Sequence, residues 1–272
     1  MNTFPPSSPF RFWHGLQGLA AALLGMFGFL LLWQLLVHMG MNIAPAHALS
    51  IQTVFISSAF ALGAWLGVAK TRNAPSTTLA LKSAHPVFYI AAVVGVVFAG
   101  ALGDEVVSLL HRWRPTFFEM GSMNEISALM REISLPSFIV LAICISVFPA
   151  LGEELMFRGL ILRSFQRDMP TYFAVIYSSI LFGVVHFSWL QGTAAALLGG
   201  YLAVVVLFSG SIFPAVAAHL VNNLTWSLVT RFEPEFMDDV LAEGHSWGTL
   251  AICVVAVTAS ILVMRRFAVG KK

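Results

Sequence analysis

Apolar stretches long enough to cross about 30 Å of hydrocarbon recur near residues 13–38, 51–69, 87–108, 135–152, 172–189, 193–209, 212–230 and 248–266. Charged residues, prolines or short polar links such as Ser209-Gly210-Ser211 separate them. The pattern predicts an all-α fold, a polytopic membrane bundle of about eight transmembrane helices. In the longest connection, His111 to Ser134, Ile126, Leu129 and Met130 fall at helical spacing beside Glu125 and Arg131. That spacing predicts an amphipathic piece lying on the membrane surface. Residues 1–11 form a polar tail rich in proline and serine. Ala44-Pro45-Ala46 resembles a leader cleavage site, but the apolar run from Phe12 to Met39 far exceeds the roughly 7–15 residues of a leader's hydrophobic segment. It is expected to remain as the first span.

Composition agrees with this pattern. Of 272 residues, 58% are hydrophobic and 10% charged, against about 25% charged in a soluble globular protein; the mean hydropathy is +0.84. A net charge of +2 gives no reason to expect a nucleic-acid partner; the lipid bilayer is the expected one. Cys144 and Cys253 both lie in apolar runs, as buried free thiols do. With the N-terminus inside, eleven of the fifteen lysines and arginines fall on cytoplasmic segments, and only Arg112, Arg114, Arg131 and Arg231 fall opposite. The acidic stretch from Glu233 to Glu243 falls outside as well. Both termini are therefore expected in the cytoplasm.

Several polar residues interrupt the apolar helices, and ionisable groups at such depth usually mark a cavity or a partner. Gly152-Glu153-Glu154-Leu155-Met156-Phe157-Arg158-Gly159 begins where the run from Leu135 to Leu151 first meets charge. Glu154 and Arg158 can pair at i, i+4, while Glu153 points about 100° away and is expected to lack a local partner. Phe182 with His186, and His219 with Asn223, are further i, i+4 pairs expected to share helix faces. Met169-Pro170 is the natural break between the fourth and fifth helices, with Glu153 sixteen residues before Met169 and His186 sixteen after Pro170. Both would then lie about 24 Å from the turn at 1.5 Å per residue, provided the fourth helix continues through Arg163. For His219 to reach that level, tilt or a break near Pro214 would be needed.

A glutamate beside a histidine can activate water for attack on an amide, and a histidine with an asparagine amide can donate to the developing oxyanion. Glu153, His186 and His219 could instead bind zinc, which takes three protein ligands and a water in catalytic sites. There is no His-Glu-x-x-His motif to favour metal. Ser178 and Ser179 share the predicted helix of His186, with Ser179 two turns away on the same face, so a Ser–His nucleophile is a third option.

In this order, Glu-Glu-x-x-x-Arg at 153–158, Phe-x-x-x-His at 182–186 and His-x-x-x-Asn at 219–223 resemble the CPBP family. That family groups type II CAAX prenyl endopeptidases with bacteriocin-processing and self-immunity (Abi) membrane proteins. The resemblance covers a core of roughly 135–230. It divides the chain into residues 1–134 (three spans and the amphipathic linker), 135–230 (the CPBP-like catalytic core) and 231–272 (an external acidic loop and the last span). It implies an intramembrane endopeptidase acting on membrane-associated peptides or proteins. Glu153 and His186 would activate the water, His219 and Asn223 would stabilise the oxyanion, and Glu154, Arg158 and Phe182 would support the site. No cofactor is required in this reading, although zinc held by Glu153, His186 and His219 is the metal-dependent version. A non-catalytic binding or bacteriocin-immunity protein using the same polar residues is the alternative. A transporter is disfavoured because no internal repeat is visible. The family branch and the short loops point to a bacterial inner membrane.

Overall fold

The computed structural model describes residues 10–69, 71, 74–117, 121–233, 235, 239, 243–244 and 246–269. Residues 1–9 of the predicted tail, Lys70, Arg72, His245, Lys271, Lys272 and parts of the acidic loop lie outside the described residues. The elements are α1 (Phe12–His38), α2 (Pro45–Ala69), α3 (Pro75–Thr78), α4 (Pro86–Trp113), α5 (Gly121–Glu132) and α6 (Leu135–Glu154). A π-helical segment (Leu155–Ile161) and α7 (Leu162–Asp168) continue α6, followed by α8 (Thr171–Val184), α9 (Trp189–Ser209), α10 (Phe213–Phe232) and α11 (Trp247–Val269). The fold is all-helical, a polytopic membrane bundle.

Six of these helical stretches are long and apolar enough to cross a membrane: α1, α2, α4, the continuous Leu135–Asp168 stretch, α9 and α11. The other two predicted spans are present as helices of a different kind. Over 213–232, α10 has 20 residues, made less apolar by His219, Asn222, Asn223 and Thr225. The fifth predicted span is the shorter apolar α8, which stops at Val184. The amphipathic segment of the longest connection is α5, and Arg231 donates to the carbonyls of Met130 and Arg131 at its end.

By packing, the chain divides into two compact units: Met1–Lys82 with Ile133–Ala174, and Ser83–Glu132 with Val175–Lys272. The first unit is held by close helix crossings at glycines. A methyl on Gly63 would come 2.5 Å from the Gly18 carbonyl oxygen, and one on Gly67 would come 2.8 Å from that of His14. Gly63 and Gly67 thus let α2 approach α1 within the chain, the packing use of a small-residue pair. Arg163 donates to the carbonyls of Thr78 at 2.7 Å and Thr77 at 3.2 Å, tying α7 to α3. Asp168 accepts from the backbone N–H of Phe12 at 2.8 Å, satisfying one of the orphan donors of a helix start.

In the second unit α4 packs against α9, α10 and α11. The Tyr201 hydroxyl donates to the Ala92 carbonyl at 3.1 Å and stands 3.1 Å from Ser260 Oγ. A buried hydroxyl needs such a partner, and this cluster joins α9, α4 and α11. Near the C-terminal end of α4, Glu105 pairs with Arg112 at 3.6 Å. Trp13, Trp113, Trp189 and Trp247, all at helix ends, are more than half exposed, as interfacial anchors are.

Candidate active site

Glu153, Glu154 and Arg158 belong to the first unit. They sit where α6 gives way to the π segment at Leu155. Insertions of π geometry widen a turn and often accompany functional sites. The Glu154 Oε1–Arg158 Nη1 distance is 2.8 Å, and the pair is sealed from solvent, with side-chain exposures of 0% and 2%. A buried pair of this kind offsets its own desolvation only while both partners are present. The expectation that Glu153 lacks a local partner needs correction: its charge also acts on Arg158. Glu153 is half-buried, unlike Glu154.

The position of this glutamate pair depends on Gly152. A side chain there would collide with the backbone carbonyl of Ser57 on α2, so α2 and α6 meet backbone to backbone one residue before Glu153. Sequence reasoning missed this role. The signal was a lone glycine beside the carboxylates, legible only once its neighbour is known.

Phe182, His186, His219 and Asn223 belong to the second unit. Here the expected helix over 172–189 is corrected: α8 ends at Val184 and His186 lies in the turn before α9. Several local causes act together. His186 N–H returns to the Gly183 carbonyl at 3.1 Å, Phe187 takes a left-handed backbone conformation with φ 51°, and Ser188 caps α9 by accepting from Gln191 N–H at 3.3 Å. A side chain on Gly183 would collide with the Gly192 carbonyl, so α8 and α9 cross closely just before the turn. A non-glycine residue at positive φ costs about 1–2 kcal/mol, and such strain concentrates at functional sites.

His186 Nδ1 stands 2.8 Å from the Phe182 carbonyl oxygen. The carbonyl can only accept, so Nδ1 carries the proton and donates. In the neutral ring Nε2 is then the basic nitrogen. The bond also satisfies one of the carbonyls orphaned at the end of α8. Phe182, 1% exposed, presents its ring to both histidines: 5.1 Å and 90° from His186, and 5.9 Å and 84° from His219. The structure therefore brings Phe182, His186 and His219 together although His186 has left the helix.

His219 is 3% exposed and Asn223 follows one turn later on the uninterrupted α10. Pro214 lies in the first turn of that helix, where proline is tolerated, so it does not break α10 near His219. Asn223 Oδ1 accepts from Asn222 Nδ2 at 3.3 Å, and the Asn223 carbonyl accepts from Ser227 Oγ at 2.7 Å. Ser179 Oγ donates to the Val175 carbonyl at 2.7 Å and Ser178 Oγ to the same carbonyl at 3.1 Å, which ties both hydroxyls to their own helix. Cys144 and Cys253 are free thiols. Among the described residues, no group of three or more His, Cys, Asp or Glu is placed to hold a metal ion.

The model of the family described as Type II CAAX prenyl endopeptidase Rce1-like matches residues 135–225. No curated protein and no solved structure matches the chain. The matched region contains Glu153, Glu154, Arg158, Phe182, His186, His219 and Asn223 together. Through this region, about a third of its length, the chain is similar to the Rce1-like type II CAAX prenyl endopeptidases, and that likeness supports the resemblance to the CPBP family of intramembrane proteases.

Proposed function

We propose that the protein is an intramembrane endopeptidase that hydrolyses peptide bonds of membrane-associated proteins with a water molecule activated by Glu153 and His186. The observation that carries this reading is the family match over 135–225, which takes in every candidate residue.

The reaction follows from the chemistry of each side chain. Glu153, as general base, accepts a proton from water while the resulting hydroxide attacks the scissile carbonyl carbon. His186, with Nδ1 held by the Phe182 carbonyl, offers Nε2 to the same water. Negative charge develops on the carbonyl oxygen of the tetrahedral intermediate, where an N–H of His219 and the Nδ2 of Asn223 donate to it. Collapse breaks the C–N bond, and the proton held by Glu153 passes to the departing amine. Glu154 and Arg158 keep the helix that carries Glu153 in one conformation. No acyl-enzyme forms, in keeping with the serine hydroxyls engaged within α8. The reading is metal-free: a base, a second basic nitrogen and two donors complete the hydrolysis, and no step is routed through zinc.

The test compares protein termini in membranes carrying the wild type and Glu153→Gln at equal abundance. New termini present only with the wild type are expected, and they name the substrate. Unchanged termini, in cells whose phenotype the wild type complements, would instead identify a binding or immunity protein. Elemental analysis finding one tightly held zinc per active molecule would overturn the metal-free version alone.

A further inference from the structure

Asn222 precedes the proposed oxyanion donor on α10 and has no part in the chemistry above. Consecutive side chains on a helix diverge by about 100° and do not ordinarily face each other. Here, however, Asn222 Nδ2 donates to Asn223 Oδ1 at 3.3 Å. A carboxamide has one accepting end and one donating end. With its Oδ1 directed to Asn222, Asn223 turns its Nδ2 the other way. The far end of Asn222 is constrained too: a methyl on Gly100 of α4 would come 3.1 Å from Asn222 Oδ1. A glycine at that point lets the backbone of α4 lie directly behind the carboxamide, and both residues are in the second unit.

We infer that Asn222 is a positioning residue: by holding Asn223 Oδ1, with Gly100 behind it, it fixes which end of the Asn223 amide meets the developing oxyanion. A flipped Asn223 would present an oxygen lone pair to negative charge and turn a stabilising contact into a repulsive one. The inference rests on the reading of Asn223 as an oxyanion donor.

It is tested on the purified full-length protein with a peptide spanning the cleavage site mapped in wild-type membranes. Asn222→Leu removes the donor at similar volume and is expected to lower kcat roughly tenfold, as small misplacements of a reacting group do, with KM within about twofold. Asn223→Leu is expected to lower kcat by about 10²-fold. The double variant is expected to lose no more than Asn223→Leu alone, because residues acting as a unit are non-additive. Asn222→Gln, which keeps a donor amide, is expected to recover part of kcat. Should Asn222→Leu fail to accumulate, Gly100→Ala displaces Asn222 without altering it, and its loss of kcat is expected to vanish on the Asn223→Leu background. An unchanged kcat in Asn222→Leu, or an equal fold-loss with and without Asn223, would overturn the inference. Glu153→Gln run alongside separates the two levels. No turnover by the pure wild type sinks the hydrolase reading itself and wild-type turnover by Glu153→Gln sinks the glutamate-activated water, whereas additive Asn222 and Asn223 effects beside an inactive Glu153→Gln sink only the positioning role.

Discussion

Glu154 and Arg158 show how one residue pair can matter without touching a substrate. Both are sealed from solvent and 2.8 Å apart, so removing either leaves the other charged and buried. Arg158→Leu is expected to destabilise the protein by about 3–5 kcal/mol, read as lost membrane abundance and a lower unfolding midpoint in detergent. Glu153→Gln, which alters a half-buried neighbour, is expected to keep near-normal abundance. Equal abundance of Arg158→Leu and wild type would show that the pair is not structural. The pairing of these two residues was legible from their i, i+4 spacing. The setting of His186 was not: its ring bonds to the Phe182 carbonyl at the i, i+4 distance that a continuous helix would also give, so the sequence spacing hides the end of the helix. The tautomer follows from that bond and has no sequence signature.

Among the elements, the stretch from Leu135 to Asp168 is one 34-residue helical rod whose hydrogen-bonding register changes at Leu155. The apolar run marked only a span over 135–152 and the proline a stop at Met169-Pro170; the continuation through Arg163 entered as a condition of the depth estimate, and the helix does continue, to Asp168. The sequence could not show the π segment, because a wider turn leaves no mark in apolar periodicity. The depth estimate for Glu153 and His186 assumed straight α-helices on both arms, and neither arm is one. The close crossing at Gly152 makes a direct prediction. Gly152→Ala drives a methyl into the Ser57 backbone and is expected to destabilise by about 1–3 kcal/mol, as overpacking does. Gly28→Ala, with nothing within 4 Å of the added methyl, is expected to be stabilising by up to about 1 kcal/mol. Reversible unfolding of the two variants in detergent checks the contrast; equal effects would mean that Gly152 is not a packing glycine.

At the scale of the whole molecule, the chain is an integral membrane protein with Leu24, Leu31 and Val255 more than two-thirds exposed, which only a lipid surround makes inexpensive. Eleven against four basic residues are the ground on which we propose that both termini face the cytoplasm. A reporter that folds only in the cytoplasm is then expected to be active at either end, and one that requires export is expected to be inactive; the reverse at both ends would invert the bundle. The most direct test of the proposed hydrolysis follows the oxygen of water. Purified wild-type protein, supplied in ¹⁸O-water with the peptide mapped from membranes, is expected to place one heavy oxygen in the new carboxylate, and Glu153→Gln none above background. Cleavage by Glu153→Gln at the wild-type rate, or no cleavage by pure wild type, would contradict a glutamate-activated water.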